Sequence, residues 1–209
     1  MIHKDRALHF ARRFLPHAAA AAATLAIGVA LGGQLSEAEP PPADFHDMRV
    51  NRPSDYSGLI APEAPEVAAL ARGLGSLEAA YHYVRDGIIF EPMRTAGPPA
   101  ETILAGRASC LGKAALLVSL YRALGVPAAE VRVVVGQIPY GGGTIEHAWI
   151  DMESGDRCLQ QDATDLLGVH DFASFPGQRF VDEFVSRELF CFNDEGFAAV
   201  SQLNRMRRR

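Results

Sequence analysis

From Cys110 to Leu124 the chain is apolar on nearly every helical face, and this stretch restricts the fold more than any other feature. Ala114, Leu117, Val118, Tyr121 and Leu124 follow the i, i+3, i+4, i+7 spacing of one stripe, and Leu116 and Leu120 add a second. A helix with two apolar faces has no side left for water, so it must run through the middle of a domain. Gly125 and Pro127 supply its C-terminal punctuation. Cys110 therefore falls in the first turn, where the positive end of the macrodipole and unpaired backbone N–H groups favour a thiolate and can hold an oxyanion. The small residues of Gly106-Arg107-Ala108-Ser109 let a substrate backbone approach the sulfur, and Arg107 adds positive potential.

The flanking patterns supply partners for that helix. Pro65 to Leu74, then Leu77, Ala80, Tyr81 and Val84, have helical spacing, with a stop at Asp86-Gly87 and a short buried strand at Ile88-Ile89-Phe90. After the central helix, residues 131–138, 145–152 and 157–161 read as strands of an antiparallel meander, with Leu189 to Phe192 as a further strand. Gly141-Gly142-Gly143 lacks a following Lys-Ser or Lys-Thr and reads as a flexible hairpin loop bordering the cleft rather than a phosphate cradle.

A cysteine in an apolar helix is by itself an ordinary buried side chain, so catalysis requires a base. A two-residue turn at Ser154-Gly155 would set His147 opposite Asp162, Trp149 opposite Gln160 and Asp151 opposite Cys158. Ala148, Ile150 and Met152 would then face the core. Cys110 becomes the nucleophile, His147 the base and Asp162 the group that orients it, a set suited to acyl transfer or amide hydrolysis. Asp165 and Asp171 are the spare carboxylates if the register differs.

These residues also resemble a known family. The segment from Glu101 through Cys110 and on to Ala128 looks like the nucleophile segment of the transglutaminase-like superfamily. His147-Ala148-Trp149-Ile150 is similar to that family's catalytic-histidine strand, and Asp162-Ala163-Thr164 to its Asp-Pro-Thr, with Ala163 in place of proline. Ala108 stands where glycine is common, and Leu111-Gly112-Lys113 replaces a more polar run. The resemblance covers roughly residues 76–167. It implies an α+β, papain-like transglutaminase-core fold, with the nucleophile on a central helix packed on an antiparallel sheet and a Cys-His-Asp triad. It implies a cysteine peptidase or amidase acting on a peptide or protein through a thioester. Amine transfer to protein glutamine, and a non-catalytic peptide-binding module of the same fold, are the alternatives.

The ends of the chain suggest where this chemistry operates. Lys4, Arg6, Arg12 and Arg13 precede an uncharged stretch over 14–36, the pattern of a signal peptide. Its most apolar part, 18–33, is short against the roughly 20 residues of a spanning helix, yet a membrane tether through 14–36 stays open. The expected organisation is 1–38 as signal or anchor, 39–58 as linker beginning with Pro40-Pro41-Pro42, and 59–209 as catalytic domain, exported to the periplasm or secreted. The 209-residue chain carries 20 Lys and Arg against 25 Asp and Glu, a net charge of −5, which disfavours nucleic acid as a partner. Without 1–38 the balance is 16 basic against 23 acidic residues.

Three cysteines, widely spaced and without Cys-x-x-Cys or His-Glu-x-x-His, argue against a zinc site, and no cofactor is expected. Cys158 and Cys191 could pair in an oxidising compartment or remain separate thiols. His82 and His170 read as surface residues, and Arg205 to Arg209 as a solvated end.

Overall fold

The computed structural model describes residues 56–154, 157–164, 166–167, 172 and 183–199. The expected signal or anchor over 1–38, most of the expected linker over 39–58, Asp165, His170, Asp171 and the terminal arginines lie outside the described residues. Folded structure reaches back into the expected linker: Tyr56 is 1% exposed and its ring lies 4.8 Å from Phe190 and 5.3 Å from Phe192.

Helix α1 spans Pro65–Leu74, with proline in its first turn where a missing N–H does no harm. Helix α2, Leu77–His82, is capped by the Ser76 hydroxyl, which accepts from the Ala79 N–H at 3.1 Å, and it runs into a π-helical turn, Tyr83–Gly87. Strand β1, Ile89–Phe90, pairs in parallel with β2, Arg107–Ala108, and α3, Pro99–Ala105, lies between them in sequence. The spacing analysis contained no α3. The expected buried strand is buried only at Ile88; Ile89 is 61% exposed, because a two-stranded ladder leaves one face to water.

Helix α4, Cys110–Ala123, meets the expectation of burial on all sides: every residue from Cys110 to Tyr121 is buried. It starts where the Ser109 hydroxyl accepts from the Gly112 N–H. It packs on a five-stranded antiparallel sheet in the order β5-β4-β3-β6-β7, where β3 is Val131–Tyr140, β4 Gly143–Ser154, β5 Arg157–Gln161, β6 Arg187–Phe192 and β7 Phe197–Ala199. The meander of β3, β4 and β5 is as expected, and the further strand expected at Leu189 to Phe192 is β6, which pairs with β3 on the side away from β4. Gly141 and Gly142, at φ +57° and +86°, form the turn of the hairpin expected between β3 and β4, and the two strands run on to Tyr140 and Gly143, beyond the expected ends at 138 and 145.

Alternation divides each strand between two faces. Val131, Val133, Val135, Ala148, Ile150 and Met152 share the core with α4, while Val134, Trp149 and Cys191 form a smaller cluster on the opposite face. Cys158 on β5 and Cys191 on β6 are separated by β4 and β3, about 14 Å at the usual strand spacing, where a disulfide tolerates about 7 Å between Cα atoms. Both are thiols, and the pairing alternative is ruled out.

The second face closes tightly over Gly136. A Cβ there would lie 2.5 Å from Trp149 Cη2 and 2.6 Å from the Arg187 carbonyl oxygen. The ladder between β3 and β6 shifts register at this position. Gly136→Ala should lower stability by about 1–3 kcal/mol, measured by urea unfolding, because the indole or the β6 backbone must move.

Candidate active site

Cys110 is the first residue of α4 and is 8% exposed. The Lys113 N–H makes the first intrahelical bond, to the Ser109 carbonyl at 2.9 Å, and Gly112 is taken by the Ser109 hydroxyl. Helix geometry therefore leaves the Cys110 and Leu111 N–H groups without a carbonyl one turn back, directed out of the helix start beside the sulfur. Gly112 admits the nucleophile strand: a Cβ there would sit 3.0 Å from the Ala108 Cβ.

His147 lies on β4 opposite Gly136 of β3, and Asp162 follows the last residue of β5. Their separation is 3.2 Å, Nε2 to Oδ1, with the side chains 1% and 0% exposed. The structure thus brings together the two residues proposed as base and orienter, but by a different register. The β4–β5 ladder pairs Ile150 with Gln161, Asp151 with Gln160 and Glu153 with Cys158, two residues away from the expected pairing. Continued by one step, this register sets Asp162 across from Trp149 and makes His147 its diagonal neighbour. A shift of two preserves the face of every side chain, whereas a shift of one would have sent Asp162 to the other side. Gln160, expected opposite Trp149, instead donates from Nε2 to Asp151 Oδ1 at 2.6 Å.

Asp162 is held from three directions. Its Oδ1 accepts from the Thr164 N–H and the Thr164 hydroxyl, both at 2.8 Å, in a turn typical of aspartate followed two residues later by a hydroxyl. Its carbonyl oxygen accepts from the Tyr81 hydroxyl of α2 at 3.2 Å. Next to it, Gln161 Oε1 accepts from the Tyr121 hydroxyl of α4 at 2.8 Å, and Gln161 Nε2 donates to the Phe172 carbonyl. Burial pushes both phenols well above their ordinary range, with the Asp162 charge adding to the effect on Tyr81, so both remain protonated donors. Sequence reasoning singled out Thr164 only as part of a motif and gave Tyr81, Tyr121 and Gln161 no role at the site. The Asp-x-Thr spacing could have indicated the turn; nothing local in sequence joins residue 81 to residue 162.

Burial by itself would strip the proton from the His147 imidazole, but the Asp162 charge and hydrogen bond, helped by Cys110, prevail and push it up to about 10. Cys110, His147 and Asp162 are thereby linked in one buried chain. Among the described residues no group of His, Cys, Asp or Glu is arranged to hold a metal ion.

The pH dependence follows from the raised histidine. In the fold the imidazolium keeps its proton up to about pH 10, whereas in the unfolded chain it loses it near 6.5. The ion pair's contribution to stability is therefore complete below about pH 6.5 and is lost as pH rises toward 10. The urea midpoint advantage of the native chain over His147→Gln should shrink across that interval.

The sequence profile described as the transglutaminase-like superfamily matches residues 66–159, which includes Cys110 and His147 and stops short of Asp162. No curated protein matches the chain. Among solved structures, Legionella pneumophila LapG in its EGTA-treated form is similar at 16% identity and a TM-score of 0.47, over 70% of this chain and 89% of LapG. The calcium-bound form gives 16% and 0.46, over 65% and 75% of the two chains. A Cytophaga hutchinsonii protein described as a candidate cysteine protease gives 14% and 0.48, over 66% and 46%. The profile match places residues 66–159, with the Cys110 helix and the His147 strand, in the transglutaminase-like superfamily.

Proposed function

We propose that the chain is a thiol-dependent acyl-transfer enzyme, a cysteine peptidase or amidase that forms a thioester on Cys110 and releases it to water. The observation that carries this reading is the buried His147–Asp162 ion pair coupled to a cysteine in the first turn of α4. Exposed ion pairs of this kind contribute little, and burying one is costly unless its charges are used or fully compensated.

The roles follow from the geometry. Nε2 of His147 is committed to Asp162, which leaves Nδ1 for the sulfur and the substrate. The Cys110 sulfur, its proton on the imidazole, attacks the carbonyl carbon of a peptide or amide bond. The developing oxyanion is held by the N–H groups at the start of α4. The imidazolium then gives its proton to the leaving amine, the C–N bond breaks, and the thioester remains. Water gives a proton to His147 as it attacks the thioester; the carboxylic acid leaves and the sulfur–imidazolium pair is restored. An amine in place of water would turn the same thioester into a new amide. The basic and then apolar residues 1–38 are read as an export signal that delivers this chemistry to the periplasm or beyond the cell.

Iodoacetamide should alkylate Cys110 near neutral pH at least about tenfold faster in the native chain than in His147→Ala. Incubated with a peptide mixture and followed by mass spectrometry, the native chain should produce fragments that have gained water. Cys110→Ala and His147→Ala should lower that rate by about 10³-fold or more, and Asp162→Ala by about 10²-fold or more. Retained turnover in Cys110→Ala would overturn the reading. Equal alkylation rates in native and His147→Ala chains, without turnover, would favour the peptide-binding module, and capture of an added primary amine would mark the transferase.

A further inference from the structure

Among the described residues, the strand leading into Cys110 has one edge paired and one edge without a partner strand. In the parallel β1–β2 pair, Ile89 N–H donates to the Gly106 carbonyl at 2.9 Å and Glu91 N–H donates to the Ala108 carbonyl at 2.8 Å. The registers Ile89 with Arg107 and Phe90 with Ala108 complete this pattern with Ala108 N–H directed at β1. Residues 106 and 108 thus turn their backbone groups toward β1. Strand alternation then directs both the N–H and the C=O of Arg107 away from it, on the opposite edge. Arg107 is exposed, and among the described residues it belongs to a sheet of two strands.

We infer that this edge of β2 is the docking site for the substrate's backbone, with an extended peptide adding as a third, parallel strand that accepts from the Arg107 N–H and donates to its carbonyl. The inference deepens the thioester reading and rests on it. Three features favour an extended peptide as the occupant. A donor and an acceptor on one residue of an open edge match the C=O and N–H of the two residues that flank its neighbour in a parallel partner. The edge is continuous with the nucleophile, three residues upstream of Cys110, so a docked strand delivers its carbonyl along the line of the chain. Ala108 and Ser109, the residues between the edge and Cys110, carry small side chains. Three residues of extended chain span about 10 Å, which sets the ligand residue that pairs with Arg107 two or three positions from the reacting carbonyl. Affinity then comes from main-chain hydrogen bonds, and the site accepts many side-chain sequences at that position.

The test uses the full chain labelled with ¹⁵N and two probes that need no known substrate: capped alanine chloromethyl ketone and its tetra-alanine homologue. In each the Cys110 sulfur displaces chloride and forms a carbon–sulfur bond, so the two adducts differ only in the length of peptide. The Arg107 amide proton should exchange with solvent at least about tenfold more slowly in the tetra-alanine adduct than in the single-residue adduct. One N-methyl group on the amide one or two residues from the reacting carbonyl should remove that protection, while N-methylation at the capped end should not. Equal exchange of the Arg107 amide in both adducts overturns the inference. Failure of the thioester reading is seen separately, as chloromethyl ketone labelling no faster in the native chain than in His147→Ala.

Discussion

The burial of α4 on all sides is the constraint from which the rest of the molecule follows. A helix without a wet face must be surrounded, so the sheet covers one side and α1, α2 and α3 the others. Its few polar side chains, buried except for the partly exposed Arg122, each become a clasp to a different segment. Lys113, 1% exposed, donates from Nζ to the Arg85 and Ile88 carbonyls at 2.9 and 2.7 Å, closing the carbonyl end of the turn that follows α2. The Ser119 hydroxyl accepts from the Ala61 N–H while donating to the Ala115 carbonyl. Tyr121 reaches Gln161 at the end of β5, and Arg122 forks onto Asp194 beyond β6. The apolar residues drive the burial, and these hydrogen bonds determine which neighbours are accepted.

The same low-polarity interior gives the site its character. Burying an imidazole favours its neutral form, and only a closely held carboxylate reverses that preference. Asp162 can play this part because the Thr164 amide and hydroxyl, both from the turn after β5, compensate its own burial. Tyr81 and Tyr121 anchor that turn to the helices on the far side of the site, so the position of the carboxylate is a property of the packed layers rather than of β5 alone. Chemistry and stability are therefore drawn from the same contacts. The helix that buries the core also presents the sulfur, and among the described residues no strand pairs with the far edge of the β2 that leads into it.

Much of this was legible in local pattern. The i, i+3, i+4, i+7 spacing from Cys110, the Gly125 and Pro127 stop and the alternation in 145–152 specify a buried helix and a half-buried strand without reference to neighbours. They also place Cys110 in a first turn and His147 on a strand, because helix and strand periods depend only on backbone geometry. The face shared by His147 and Asp162 was legible too, since side-chain direction has a period of two and survives a register error of two.

What the sequence alone determined is the identity and order of the chemical groups and the elements that carry them. The tertiary structure decided their distances. The two-residue shift between β4 and β5, the insertion of β6 beside β3, the separation of Cys158 from Cys191, and the reach of Tyr81 to Asp162, 81 positions along the chain, depend on how separate segments meet. Such contacts are chosen by how whole surfaces pack against α4, and no local period encodes them. Lys113 shows the reason most plainly: one charged residue in an apolar helix looks like a flaw in the pattern until the fold brings the carbonyls of Arg85 and Ile88 to its amine.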